Sequence, residues 1–148
     1  MADSSEKVRI FIDADVLFAG SASPHEYSAS LVILRMAEIT LIKAITSQQV
    51  ITEVERNLKQ KMPSALTTFR MLVSRCLEVL TDPTQEEVDE LNDAANPKDL
   101  PILAAAVKHN CQFLTTFNIK HFQPGVRNLT VLLPDDLVQR VRYLISSL

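Results

Sequence analysis

Glycine is scarce in this sequence. Only Gly20 and Gly125 occur in 148 residues, so neither a G-x-G-x-x-G nor a G-x-x-x-x-G-K motif exists, which excludes a glycine-rich loop for nucleotide phosphates. The Asn-Gly and Asp-Gly pairs that tight two-residue hairpins prefer are also missing. The chain is therefore expected to consist of helices and crossover connections rather than antiparallel hairpins.

Cysteine and histidine are few as well. Cys76 and Cys111 form no C-x-x-C pair, and His25, His109 and His121 lack the spacing of zinc ligands, so we expect neither a zinc site nor a disulfide framework. The N-terminus does not resemble a signal peptide, and no apolar run approaches the roughly 18 residues of a membrane span. We expect a soluble protein of the reducing cytoplasm that has no membrane partner.

Chain length and net charge restrict the number of domains and the classes of function. A chain of 148 residues that is 47% hydrophobic predicts one domain over residues 1–148, with residues 1–6 flexible. Lys plus Arg total 15 and Asp plus Glu total 18, which gives a net charge of −3. General electrostatic binding to nucleic acid is not expected at this charge, although a local basic face still permits a nucleic-acid substrate.

Hydrophobic periodicity predicts alternating strands and helices. The strand-like runs cover residues 8–13, 39–46, 76–80, 111–116 and 129–133. The helical patterns cover residues 28–39, 48–61, 63–74, 84–95, 97–108 and 137–145. This alternation predicts an α/β fold in which right-handed crossovers build a parallel sheet of about five strands, covered on both faces. Ligands in such folds bind beyond the carboxyl ends of the strands.

Acidic residues lie where that arrangement predicts a site. Asp13 and Asp15 follow the first strand, Glu53 lies at the edge of its helix's apolar stripe, and Asp99 is the third residue of its helix. Each also has a structural explanation, because Asp13 can cap a turn, Glu53 can be an ordinary solvated side chain, and Asp99 can complement the helix dipole. Two acids after a buried strand, and the apolar helix that follows Asp99, favour a functional site.

Four segments, in chain order, together resemble one known family. They read I-F-I-D-A-D-V-L-F, I-T-E-V, N-P-K-D-L-P-I-L-A-A-A and F-L-T-T-F-N-I-K-H-F. This combination resembles the PIN-domain family of metal-dependent ribonucleases, and it spans nearly the whole chain. The resemblance implies a three-layer α/β/α sandwich with a central parallel sheet. It also implies an acidic pocket that binds Mg²⁺ or Mn²⁺ and cleaves single-stranded RNA.

The resemblance assigns the catalytic and metal-binding acids to Asp13, Glu53 and Asp99. Hard divalent cations prefer carboxylate oxygens, which agrees with that assignment. Asn118 stands where many members carry a fourth acid, so it would offer an amide oxygen without charge, and Asp15 stands where Asn or Ser is more usual. We hypothesise that Asp15 compensates for the charge missing at position 118.

Two hydroxyls and two basic residues complete the candidate site. The resemblance gives Thr116, at the end of the fourth strand, the role of holding a carboxylate or a metal-bound water, with Ser47 in a similar role. Helix capping explains either hydroxyl equally well. Arg56 and Lys59, on one helix, are candidates for RNA binding, and ordinary solvated side chains are the alternative explanation.

Partners follow from the same resemblance. Many PIN-domain proteins similar to this chain are toxins of bacterial toxin and antitoxin pairs that self-associate, which implies an antitoxin partner and a homodimer. The apolar segment from Leu31 to Ile39 is a candidate dimer surface, and core packing is the alternative.

Two other functions remain open from the sequence. A catalytically weakened domain would keep the fold and bind RNA or protein, and Asn118 favours that interpretation. A phosphoacceptor signalling domain would use Asp82 and Thr115 or Thr116, but it needs a Lys at the end of the last strand, and L-L-P-D-D has none.

Overall fold

A five-stranded parallel sheet forms the centre of the molecule in a computed structural model that describes residues 7–22 and 28–147. The strands are β1 (Arg9–Ile12), β2 (Lys43–Ser47), β3 (Leu77–Leu80), β4 (Phe113–Thr115) and β5 (Thr130–Leu132). Every neighbouring pair is parallel, which confirms the predicted class of sheet. The expected flexibility of residues 1–6 and the position of His25 lie outside the described residues.

The strand order places the site. The order is β3-β2-β1-β4-β5, and Ile10 of β1 pairs with Ala44 on one side and Phe113 on the other. The chain therefore reverses its direction across the sheet between β1 and β4, and such a switch point opens a crevice beyond the carboxyl ends of the two strands. The phosphoacceptor alternative corresponds to the order 2-1-3-4-5, so the observed order argues against it.

Seven α-helices, counted within the described ranges, connect and cover the strands. They are α1 (Ala14–Ala22), α2 (Ala29–Glu38), α3 (Gln48–Lys61), α4 (Leu66–Cys76), α5 (Gln85–Asp89), α6 (Leu100–Lys108) and α7 (Pro134–Ser146). Helices α5 and α6 contact each other, and α6 packs on β2 and β4. Helix α2 packs on β2 and β3 and contacts α1, α4 and α7. The result is the expected α/β/α sandwich.

Buried apolar residues explain this arrangement. Ile10, Phe11 and Ile12 of β1 are fully buried, as expected for a central strand covered on both faces. Helix α6 buries most of its length, including Leu103. The segment from Leu31 to Ile39 packs mainly into this core, which confirms the core-packing alternative for most of that segment. No helix in the described part of the chain combines the length and the apolar character that crossing a membrane requires.

Three local differences from the predicted elements have physical causes. Helix α1 was not predicted, because a short helix that is apolar on most sides and largely buried has no amphipathic period. Strand β2 begins at Lys43 rather than at residue 39, because Thr40 turns the chain with a φ of 67°. Helix α5 ends at Asp89 instead of residue 95, and Asp93 adopts a φ of 70° in the turns that follow.

Truncation of Leu103 tests the core of α6. Leu103 is fully buried, so Leu103→Ala should lower the free energy of unfolding by about 2–5 kcal/mol through lost burial and the cavity left behind. Val107 lies one turn further along the same helix and is 40% exposed, so Val107→Ala should change stability by no more than about 0.5 kcal/mol. Urea unfolding of both variants measures the difference, and equal losses would contradict the described packing.

Candidate functional site

An acidic cleft of about 300 Å³ lies at the carboxyl edge of the sheet. Asp13 directly follows β1, Glu53 projects from α3 after β2, and Asp99 ends the 3₁₀ turn that precedes α6. These three carboxylates line the cleft together with Asp15. The parallel topology therefore gathers side chains that are far apart in the sequence.

Asp13 is held on both of its carboxylate oxygens. The Ala14 N–H donates to Oδ1 at 2.7 Å, and the Thr116 hydroxyl donates to Oδ2 at 2.9 Å. The Asp13 N–H itself donates to the Thr115 carbonyl at 3.1 Å, which continues the pairing of β1 with β4 by one residue. The side chain therefore has one defined orientation, set by the start of α1 and the end of β4.

The proton affinity of Asp13 is strongly perturbed. Burial is the largest cause and the nearby charge of Asp15 is the second, and together they raise the pKa of Asp13 from 3.8 to about 7. Hydrogen bonds from Ala14 and Thr116 oppose the shift. In the metal-free protein a proton therefore competes with any cation for this carboxylate near neutral pH.

Asp15 and Asn118 form a second polar pair. Oδ2 of Asp15 accepts hydrogen bonds from the Phe117 N–H at 3.0 Å and from Asn118 Nδ2 at 3.2 Å. The Thr116 hydroxyl lies 3.3 Å from the same oxygen, but its single proton is donated to Asp13, which is nearer. Oδ1 of Asp15 is buried without a hydrogen-bond partner. Burial also raises the pKa of Asp15.

Glu53 and Asp99 approach the cleft from two helical segments. Glu53 is half-buried beside the buried Val50 and Val54, which matches its expected place at the edge of the apolar stripe. Oδ2 of Asp99 is buried and accepts no hydrogen bond, although Nδ1 of His121 lies 3.4 Å away. A buried carboxylate oxygen without a hydrogen bond lowers the stability of the metal-free protein, and a bound cation would satisfy it.

The remaining predicted residues differ in their relation to the cleft. Thr116 is fully buried, and its hydroxyl donates to Oδ2 of Asp13 while lying 3.3 Å from Oδ2 of Asp15. Ser47 is also buried, but its Oγ has no hydrogen-bond partner and it is not among the residues that line the cleft.

The two candidate RNA-binding residues, Arg56 and Lys59, have different surroundings. Arg56 lines an adjacent depression of about 360 Å³ that shares Glu53 with the acidic cleft. Lys59 is exposed on the same helix. The depression therefore extends the acidic cleft towards Arg56.

Sequence reasoning gave no role to two residues that line the cleft. Gln49 precedes Glu53 by four positions on α3, a spacing that places two side chains on the same helix face, so this signal was available. Lys98 directly precedes Asp99 and is exposed at the mouth of the cleft. The sequence offered no signal for Lys98 beyond its neighbour.

The oxygen donors of the cleft fit a partly hydrated divalent cation. Within residues 7–22 and 28–147, no group of three or more His, Cys, Asp or Glu side chains is placed as a ready-made metal cage. However, Mg²⁺ usually keeps several waters and binds through one or two carboxylates plus phosphate. Two buried oxygens without hydrogen bonds, Asp15 Oδ1 and Asp99 Oδ2, belong to carboxylates that line the same cleft.

Comparison with known proteins agrees with this architecture. The sequence matches the family described as PIN domain over residues 9–120. VapBC2 of Rickettsia felis, bound to a DNA fragment from their promoter, has a similar fold, with a TM-score of 0.66 and 17% identity over 85% of this chain and 98% of that one. PAE2754 of Pyrobaculum aerophilum gives a TM-score of 0.64 and 16% identity over 92% and 96% of the two chains.

A third solved structure has the same fold. VapC20 of Mycobacterium tuberculosis, a toxin that cleaves the sarcin-ricin loop, gives a TM-score of 0.50 and 16% identity over 71% of this chain and 86% of that one. No curated protein sequence matches the chain. At these identities the structures establish a shared fold.

Replacing Asp13 should remove a pH-dependent loss of stability. The folded protein keeps the Asp13 proton up to about pH 7, whereas the unfolded chain releases it near 3.8, so the free energy of unfolding falls as pH rises through this interval. In EDTA, Asp13→Asn should therefore be more stable than wild type by up to about 4 kcal/mol at about pH 8. The difference should vanish at about pH 4.

Denaturant unfolding across this pH range measures the effect. Asp93→Asn is the matched control, because Asp93 is exposed and its left-handed backbone suits Asn equally well. Parallel pH profiles for wild type and Asp13→Asn would show that the Asp13 carboxylate is not destabilised in the folded protein.

Proposed function

Because the chain belongs to the PIN-domain family, we propose that it is a Mg²⁺- or Mn²⁺-dependent endoribonuclease that cleaves single-stranded RNA. The observation that supports this most is the convergence of Asp13, Glu53 and Asp99 on one cleft at the switch point of the sheet. These acids come from three separate segments, and capping or solvation of each one alone does not account for their meeting.

The cation would be held by Asp13, Glu53 and Asp99, with the Asn118 amide oxygen as a neutral donor. Bound there, a divalent ion supplies Lewis acidity to a phosphodiester and lowers the pKa of a water. Thr116 orients Asp13 through its hydroxyl, and Ile102 gives the cleft an apolar wall. Ser47 supports the end of β2 from within the core.

The edge of the cleft supplies groups for the RNA backbone. Lys98 and His121 line its mouth, and Arg56 lines the depression that continues from it past Glu53. Basic side chains bind phosphate without reading sequence. Lys59, exposed on the same helix as Arg56, extends this path, so a single strand would cross α3 as it enters the cleft.

A catalytically weakened RNA- or protein-binding domain is the second candidate function. The amide at position 118 favours it, because Asn118 directs its Nδ2 at Asp15 and adds no negative charge for a second cation. Under this alternative the protein binds RNA, and cleavage is absent even with metal.

A toxin role, with an antitoxin as the protein partner, fits the chain's relatives. One protein of similar fold is named as VapBC2, solved on promoter DNA, and another is a toxin that cleaves the sarcin-ricin loop. In this role a protein partner covers the acidic cleft, and the chain acts as a homodimer in the cytoplasm. Within the candidate dimer segment, Val32 and Ala37 are partly accessible, and Arg35, Glu38 and Ile39 are exposed.

Cleavage of labelled single-stranded RNA tests the nuclease directly. Wild type should cut with Mn²⁺ or Mg²⁺ and stop in EDTA. Asp13→Asn and Asp99→Asn should each lower the rate by about a hundredfold or more, because each removes a charged oxygen ligand. Asp93→Asn, an exposed Asp remote from the cleft lining, should cleave at the wild-type rate.

Each other outcome has a definite meaning. Cleavage that survives EDTA, or an Asp99→Asn variant as active as wild type, contradicts the metal-dependent mechanism. Wild type that retards the RNA in a gel without cutting it supports the binding domain instead.

Induced expression in a bacterial host tests the toxin role. Wild type should arrest growth and Asp99→Asn should not, because arrest depends on an intact cleft. Co-expression of the neighbouring reading frame should restore growth if that frame encodes the antitoxin. Equal growth of the wild-type and Asp99→Asn strains would exclude a toxin role. The cleavage assay would then decide separately whether the protein is a nuclease.

A further inference from the structure

The two carboxylate oxygens of Asp15 differ, because Oδ2 accepts hydrogen bonds and Oδ1 accepts none. Two donors, the Phe117 N–H and Asn118 Nδ2, converge on Oδ2, while Oδ1 is buried and accepts no hydrogen bond. A buried oxygen left without a partner costs about 1–3 kcal/mol, and more when it is charged. The same carboxylate lines the acidic cleft, so a cation bound there would satisfy this oxygen.

The contact with Asn118 fixes the direction of the amide. An ionised carboxylate only accepts hydrogen bonds, so Asn118 must present Nδ2 to Asp15, at 3.2 Å. A carboxylate at position 118 would instead place a second negative charge at that distance, and the two would repel each other. The amide at position 118 therefore donates a hydrogen bond to Asp15 without adding a like charge beside it.

We propose that Asp15 is a cation ligand of the cleft through Oδ1, and that Asn118 is the positioning residue that holds Oδ2 away from the ion. This inference rests on the proposed function, since it adds a ligand to the same site. It gives the cleft four carboxylates although position 118 carries an amide. Its ligand is a hard divalent cation, because the donors are oxygens.

A structural role for Asp15 makes a different prediction. Asp15 lies in the first turn of α1, where any acid complements the helix dipole. Asp15→Asn separates the two roles, because the Asn side-chain oxygen can still accept the hydrogen bonds of Oδ2 and only Oδ1 is replaced, by an NH₂ group that cannot bind a cation. If the role is structural, this change leaves cation binding unaltered.

Calorimetric titration with Mn²⁺, with the free ion followed by electron paramagnetic resonance, provides the test. Wild type should bind Mn²⁺, Asp99→Asn should abolish binding in the cleft, and Asp93→Asn should bind like wild type. Asp15→Asn should weaken binding by about tenfold or more while its metal-free melting temperature stays at or above that of wild type.

The exchanged variant, Asp15→Asn with Asn118→Asp, tests the pairing. It restores the number of carboxylates, so its Mn²⁺ affinity should return to within about threefold of wild type. Asn118→Asp alone should lower the metal-free melting temperature, because it places two carboxylates face to face, and it should do so much less in the Asp15→Asn background.

The outcomes separate this inference from the proposed function. If wild type and Asp15→Asn bind Mn²⁺ equally while Asp99→Asn does not, Asp15 is not a ligand and the metal-dependent nuclease stands. If Asp15→Asn binds weakly but the exchange brings no recovery and the melting temperatures show no coupling, Asn118 has no positioning role. If wild type binds no Mn²⁺, the proposed function fails and this inference fails with it.

Discussion

The burial of several carboxylates together at one edge of the sheet is the constraint on which the rest of the site depends. Burial and the neighbouring Asp15 raise the pKa of Asp13 to about 7, and the Ala14 N–H and the Thr116 hydroxyl oppose this shift. These donors come from the first turn of α1 and from the residue after β4. The pairing of β1 with β4 is therefore necessary for the charge to be held at all, and a change in that register would separate Asp13 from Thr116.

The fold concentrates charge at this edge and supports it with an apolar core. Strand β1 is fully buried in its last three residues, and α6 is buried along most of its length. Such rigid elements hold their ends in place, so Asp13 and Asp99 remain close although each would be more stable in water. Bringing these carboxylates together out of water lowers the stability of the fold at this edge, and the apolar core offsets that loss.

The effect of Asn118 on the site depends on the carboxylate of Asp15 beside it. A carboxylate beside an amide forms a hydrogen bond, at 3.2 Å here, whereas a carboxylate beside a carboxylate requires a cation or a proton between them. Considered alone, Asn118 is a missing charge and favours a weakened enzyme. Considered with Asp15, it is a hydrogen-bond donor to a second carboxylate of the cleft.

The sequence by itself determined the class of sheet and the identity of the acids. Its apolar runs alternate with helical patterns, and that periodicity requires only local information, which is why the five strands and the acids after them were predicted close to their observed places. It could not show α1, whose apolar surface has no period, nor the turn at Thr40 that shortens β2. Only the tertiary structure decided three features: the strand order, the contact of Thr116 with Asp13, and the Asp15 oxygen that accepts no hydrogen bond. Thr116 lies more than 100 positions from Asp13 and Asp15 in the sequence, and only the packed sheet brings such residues within hydrogen-bond distance.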